Sequence, residues 1–91
     1  MTDEDLALRA QRSKEVLGNV AFIESVETVK GRLRQLWEST NPGEKDEREW
    51  YYAQLRGMEA VLGTLRKFVN SGTILAARQN SESEGDGTPR N

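Results

Sequence analysis

Two stretches of sequence decide the fold: residues 20–39, VAFIESVETVKGRLRQLWES, and residues 47–70, EREWYYAQLRGMEAVLGTLRKFVN. In both, apolar residues recur in alternating steps of four and three. The recurring positions are Phe22, Val26, Val29, Leu33 and Leu36 in the first stretch and Tyr51, Leu55, Met58, Leu62, Leu65 and Val69 in the second. This heptad spacing is typical of packed α-helices and differs from the alternation of a β-strand. We therefore predict two long helices whose apolar seams form the core.

The segment between these stretches predicts a reversal of the chain. It contains Asn41-Pro42-Gly43, and proline cannot continue the hydrogen-bond ladder of a helix. Asp46 precedes the second helix and Glu49 follows three residues later, a spacing similar to a capping box. Because a short connection makes consecutive helices antiparallel neighbours, the predicted fold is all-α, an antiparallel two-helix hairpin.

The flanking segments predict a short N-terminal helix and a disordered C-terminal tail. Residues 3–17 carry helically spaced positions for packing, namely Leu6, Ala10, Ser13 and Leu17. Asn70-Ser71-Gly72 predicts the end of the second long helix, with glycine near the position that terminates many helices. Residues 78–91 have no large apolar side chain to bury, so we expect disorder there. The predicted domain is residues 1–77.

The composition argues against enzyme chemistry. The 91 residues include no His and no Cys, which removes the usual acid/base group, the thiolate nucleophile and the commonest metal ligands. Glu24 and Glu27 lie one turn apart, but di-metal bundles also need Glu-x-x-His motifs. Asp46, Glu47 and Glu49 fit helix capping and compensation of the helix dipole better than catalysis. We predict no enzyme activity, no metal and no cofactor.

Charge and hydropathy disfavour nucleic acids and membranes as partners. The net charge is −2, from 13 basic and 15 acidic residues. The densest basic cluster is Lys30, Arg32 and Arg34, and these positions point in different directions around a helix. No apolar run approaches the roughly 20 residues that span a bilayer. The acidic start, residues 1–6, is unlike a signal peptide, so we expect a cytoplasmic location.

The second long helix carries a further apolar row beside its seam. The row consists of Trp50, Gln54, Gly57, Val61, Thr64 and Phe68. It makes the apolar face wider than one neighbouring helix covers, and the N-terminal helix is too short to cover the whole row. Because exposed apolar patches and aromatic side chains are typical of binding surfaces, we predict a homo-oligomer. The predicted protein interface comprises Trp50, Tyr52, Gly57, Val61 and Phe68.

Several segments resemble small bacteriophage proteins of the helical-hairpin type, encoded by tailed phages. Val16-Leu17-Gly18-Asn19-Val20-Ala21-Phe22 is similar to their Leu-Leu-x-Asn-Pro-x-Phe opening, with Val20 where proline is common. The similarity covers about residues 16–77. It continues through Leu36-Trp37, Ser39-Thr40-Asn41-Pro42, Asp46-Glu47-Arg48-Glu49-Trp50-Tyr51, Leu55-Arg56-Gly57-Met58, Val69-Asn70-Ser71-Gly72 and Ile74-Leu75-Ala76.

The resemblance implies a phage or prophage origin and no catalytic residues. Such genes often lie near packaging and virion-structure genes. On this basis we expect a non-enzymatic protein that acts through protein–protein interaction, as an accessory to virion assembly or DNA packaging. Two alternatives stay open: a small inhibitor of a host defence system or host enzyme, and a nucleic-acid-binding packaging component. The expected location is the host cytoplasm or the virion, and the expected partner is a second copy or another phage or host protein.

Overall fold

A computed structural model describes the backbone of residues 1–87 and the side chains of residues 1–81. Within that part of the chain there are three α-helices and no strand: α1 (Asp3–Leu17), α2 (Val20–Glu38) and α3 (Lys45–Gly87). The all-α prediction is confirmed. The molecule measures 71 × 26 × 25 Å, and it is elongated because α3, with 43 residues, is about 64 Å long.

Short polar side chains define the first two helices. Thr2 Oγ1 accepts a hydrogen bond from the backbone N–H of Asp5, and the Asp5 carboxylate accepts one from the Thr2 N–H, both at 3.1 Å. The hydrogen bond from the Thr2 backbone N–H, and after it the Thr2 hydroxyl beside the carboxylate, hold the pKa of Asp5 below its ordinary value. After the end of α1 at Leu17, Asn19 Oδ1 accepts from the Phe22 N–H at 2.9 Å and caps α2.

The connection between α2 and α3 is closed by a basic side chain. The Arg48 guanidinium lies over the Trp37 ring, 4.6 Å from its centroid. Arg48 Nη1 also donates to Thr40 Oγ1 at 2.9 Å. The part played by Arg48 was not predicted from the sequence and follows from the cation–π attraction of an indole face.

α3 is longer than the sequence predicted. It does not end at Asn70-Ser71-Gly72 but continues to Gly87. Residues 78–87 of the predicted disordered tail are therefore helical, and residues 88–91 lie outside the described part of the chain. The predicted boundary at residue 77 falls inside a helix. Tertiary contact explains the continuation through Gly72 as far as Leu75, because α1 packs against this part of α3 and buries Leu75.

Gly72 marks a close approach of α1 to α3. A Cβ built on Gly72 would lie closer than 3.0 Å to the Cβ of Ala10, a distance that real Cβ atoms do not adopt. Around Gly57 and Gly63 the same construction meets no atom within 4 Å. Gly72 thus permits helix packing within the chain and does not terminate α3, since its φ is not positive. Gly57 faces no other part of the described chain.

The core of the molecule is thin. Across the described side chains, the buried apolar residues are Ala10, Leu62 and Leu75, and the buried polar residues are Ser13 and Lys30. Of the predicted core set, Leu62 is therefore buried. The half-buried members are Phe22, Val26, Leu33, Leu36, Tyr51, Leu55, Met58, Leu65 and Val69.

Val29 departs from the predicted core because it is 46% exposed. The next residue, Lys30, is buried instead, and its ammonium pairs with the Glu59 carboxylate of α3. α2 is therefore rotated so that Lys30, and not Val29, faces α3. The long aliphatic stem of lysine allows this, because it can be buried while the charged end finds a partner.

Candidate protein-interaction surface

α1 and α2 cover different parts of α3. Representative contacts are Trp37 with Arg48 and Lys30 with Glu59 for α2, and Arg9 with Phe68 and Ala10 with Gly72 for α1. Successive residues of a helix are rotated by about 100°, so Trp50, Gly57 and Phe68 share one face with Gly72. α1 covers the C-terminal end of this face, and its N-terminal part has no helix of the described chain upon it.

The uncovered part of this face, called the open stripe, consists of Trp50, Gln54, Gly57, Val61 and Thr64. All five residues are exposed, and the apolar Trp50 and Val61 expose 57% and 58% of their surface. α1 therefore covers the predicted apolar row only at its Phe68 end. Large apolar side chains that are exposed on one helix face are a feature of interaction sites on soluble proteins.

Trp50 occupies the N-terminal end of the open stripe and is oriented by a neighbour. Its ring packs edge-to-face against the Tyr51 ring, with centroids 5.3 Å apart and planes at 75°. Tyr51 is half-buried in the seam, so it holds one side of the exposed indole. A side chain that is already oriented loses less freedom when it binds, and tryptophan is among the residues that contribute most at protein interfaces.

An apolar groove lies at the C-terminal end of the open stripe. It has a volume of about 360 Å³, and its lining residues are Ala60, Val61, Thr64, Leu65 and Phe68. The Thr64 hydroxyl donates to the Ala60 carbonyl at 2.8 Å. Because this hydrogen bond uses the hydroxyl proton within the helix, the groove presents a mainly apolar surface to a ligand.

Phe68 lies between this groove and α1. The Arg9 guanidinium of α1 stacks over the Phe68 ring, 3.8 Å from its centroid. Arg9 Nε is buried and has no hydrogen-bond partner among the described residues. The cation–π contact partly offsets that loss of hydration. Arg9 thus covers one face of the Phe68 ring, and the other side of the ring lines the groove.

Tyr52 does not belong to the open stripe. It is 55% exposed, but it lies about 200° around α3 from Trp50. The structure therefore brings four of the five predicted interface residues onto one face and leaves Tyr52 on another. The Tyr52 side of α3 carries Glu59, whose pKa is held below its ordinary value by the hydrogen bond and the charge of the Lys30 ammonium.

Acidic side chains near the start of α3 bond to each other and to the preceding turn. Glu44 Oε1 accepts from the backbone N–H and the side-chain amide of Asn41, at 3.1 and 2.8 Å. A hydrogen bond between the two carboxyl groups lowers the pKa of Glu44 and raises that of Glu47. Where side chains are described, no group of three or more acidic residues is placed to hold a metal ion. The absence of metal binding and of catalysis stays a prediction.

Comparison with protein-family models, curated proteins and solved structures finds no match to this chain. Within residues 1–87, no helix combines the length and the apolar character needed to cross a membrane. The resemblance to small phage proteins remains a prediction.

Proposed function

We propose that this chain is a non-enzymatic protein that acts by binding protein through the open stripe of α3. The supporting observation is a helix face that is covered by α1 at one end and exposed at the other. Aromatic side chains bury about 150–250 Å². At about 25 cal/mol per Å², covering the exposed 57% of Trp50 contributes about 2–4 kcal/mol. Association also costs translational, rotational and side-chain freedom, so this figure is an upper bound on what Trp50 adds to the affinity of a complex.

The thin core supports the need for a partner. None of the large side chains in the described part of the chain is fully buried, and the accessible surface is 7224 Å². A compact monomer of 10.3 kDa exposes about 5,400 Å². Small chains with little buried apolar area are marginally stable alone, so burial at an interface would add to the stability of this fold.

The proposed framework of the surface is an antiparallel hairpin of α2 and the N-terminal half of α3. Two observations support it. Trp37 and Arg48 meet next to the connection, and Lys30 and Glu59, each farther from the connection along its own helix, also meet. When a second contacting pair lies farther from the turn than the first on both helices, the two helices run antiparallel.

The proposed biological role is that of an accessory to virion assembly or DNA packaging in a bacteriophage, in the host cytoplasm or in the virion. The support for the phage setting is the sequence resemblance across residues 16–77. The support for an assembly role, as opposed to catalysis, is the open stripe itself. Proteins that assemble need a self-complementary or partner-complementary apolar surface, and the exposed Trp50 and Val61 of α3 support such a role.

Trp50 and Tyr52 provide a matched test of this proposal. Both are exposed aromatic residues of α3, at 57% and 55%, and they lie on different faces. Purified tagged full-length chain is used to capture phage proteins from infected cells, and captured proteins are identified by mass spectrometry alongside the proteins of purified virions. We expect Trp50→Ala to reduce recovery of the partner at least about tenfold, which corresponds to about 1.4 kcal/mol, and Tyr52→Ala to have little effect. Equal recovery with both variants would contradict the proposal.

A further inference from the structure

We infer that the open stripe binds a second copy of this chain, as an antiparallel pair of α3 helices with a twofold axis beside Gly57. This inference rests on the proposed protein-binding role of the stripe and names its partner. In such a pair, positions equally far before and after Gly57 face each other. Trp50 precedes Gly57 by seven residues and Thr64 follows it by seven, so Trp50 of each copy faces Thr64 of the other.

The shape of the stripe is self-complementary in this arrangement. Trp50 is a large exposed aromatic side chain, and the apolar groove beside Thr64, about 360 Å³ in volume, lies at the position that it faces. One twofold operation fills both grooves with both indoles, as an isologous interface requires. Open space around Gly57 lets the two helices approach at the short end of the usual 8–10 Å interaxial range.

Two charges along one edge of the stripe, Glu49 and Lys67, favour the antiparallel arrangement, whereas Arg56 on the same edge faces its own copy across the axis and opposes association. Glu49 and Lys67 each lie about 100° from Trp50 in the same direction around α3. A twofold axis perpendicular to both helices keeps each edge on its own side, so Glu49 of one copy lies about 3 Å along the axis from the position opposite Lys67 of the other. The ion pair found among the described side chains is Lys30 with Glu59, which involves neither residue.

A parallel pair lacks this complementarity. A twofold axis parallel to the helices would place the Glu49–Lys67 edge of one copy against the opposite edge of the other, so Glu49 and Lys67 would not meet. The antiparallel pair instead offers two equivalent Glu49–Lys67 contacts. The charge pattern thus selects the orientation of the pair, while Trp50 and the groove supply the buried apolar area.

The oligomeric state of the full chain is the first measurement. Light scattering after size-exclusion chromatography should give twice 10.3 kDa at micromolar concentration. Gly57→Leu should give the monomer mass with undiminished helical content, because a Cβ at this exposed position has no atom of its own chain within 4 Å, while the added side chain blocks the approach of the second copy. Gly63→Leu, which is likewise unobstructed within the chain and lies off the stripe, should remain dimeric. A wild-type monomer at high concentration overturns the inference.

Single-cysteine variants test the orientation, because the natural chain has no Cys. Gly57→Cys should form a disulfide dimer alone, since position 57 faces itself across the axis. Val61→Cys should not do so alone, but a mixture of Ala53→Cys and Val61→Cys should form the mixed disulfide. Disulfides require Cα atoms within about 7 Å. Efficient self-crosslinking of Val61→Cys, equal to that of Gly57→Cys, would show a parallel pair and overturn the inference.

Charge reversal gives a test that is independent of crosslinking. Glu49→Lys or Lys67→Glu alone should weaken dimerisation several-fold at low salt, and the double variant should restore it. Failure of the double variant to restore it overturns the assigned contact. If the chain is monomeric and Trp50→Ala still abolishes capture of another phage protein, the second copy is ruled out as the occupant while the proposed protein-binding function stands. If Trp50→Ala changes neither mass nor capture, both fail.

Discussion

Replacing Gly72 by alanine has two effects on stability, and these effects have opposite signs. In a helix interior, alanine is favoured over glycine by about 1 kcal/mol. At position 72, however, the added methyl would lie closer than 3.0 Å to Ala10 Cβ. Carbon atoms prefer about 3.5–4.0 Å, and Ala10 has no rotamer that moves its Cβ aside. α1 must therefore shift outward along a contact that buries Ala10 and Leu75.

The expected magnitude follows from these two terms. Overpacking in a well-packed contact costs about 1–3 kcal/mol, which the helix propensity of alanine offsets by about 1 kcal/mol. Gly63→Ala is the matched control, because Gly63 lies in the same helix, is half-buried and has no atom near its built Cβ. Gly63→Ala should stabilise the protein by about 1 kcal/mol, and Gly72→Ala should be about 1–3 kcal/mol less stable than that control.

Urea denaturation followed by circular dichroism measures the difference, at one fixed protein concentration because assembly makes apparent stability depend on concentration. The double variant Ala10→Gly/Gly72→Ala removes the opposing methyl. It should therefore be more stable than the sum of the two single effects. If Gly72→Ala proves as stable as Gly63→Ala, α1 does not pack on Gly72 and the reasoning is refuted.

Three further predictions concern the fold and its electrostatics. Leu62→Ala should destabilise the protein by about 2–5 kcal/mol because Leu62 is buried. Leu33→Ala should cost less because Leu33 is only half-buried. If both variants melt at the wild-type temperature, the assignment of these residues to the apolar seam is wrong. The pKa of Glu59 is lowered in the folded protein. The ion pair with Lys30 therefore stabilises the fold at pH values above about 4.3, the pKa of Glu in an unfolded chain. This stabilisation is lost as the pH falls through the lower pKa that Glu59 has in the folded protein. Glu59→Gln should therefore reduce stability at pH 7 and flatten its acid dependence, which denaturation from pH 7 to pH 3 measures; an unchanged pH profile would exclude the ion pair as its source. Deleting residues 81–91 should change the free energy of unfolding by less than about 0.5 kcal/mol, since residues 76–81 are already exposed, and a large loss of helicity would contradict this.

The helical class and the starts of the first two helices follow from local signals. Heptad spacing, the Thr2–Asp5 capping box and the Asn19 cap all act within a few residues of each other, so their effect can be read along the chain. The end of α3 could not be read in this way. Asn70-Ser71-Gly72 has the composition of a helix end, but α1 packs on Gly72 and buries Leu75, and that contact joins residues far apart in sequence.

The same distinction holds for the candidate surface. The sequence by itself showed that α3 has an apolar row wider than one helix covers, because periodicity depends only on residue spacing. Which part of the row stays open was decided by the tertiary structure. α1 covers Phe68 and leaves Trp50, Gly57 and Val61 exposed. Rotation of α2 likewise buried Lys30 and exposed Val29, since the choice between them depends on whether Glu59 of α3 lies within reach of the ammonium.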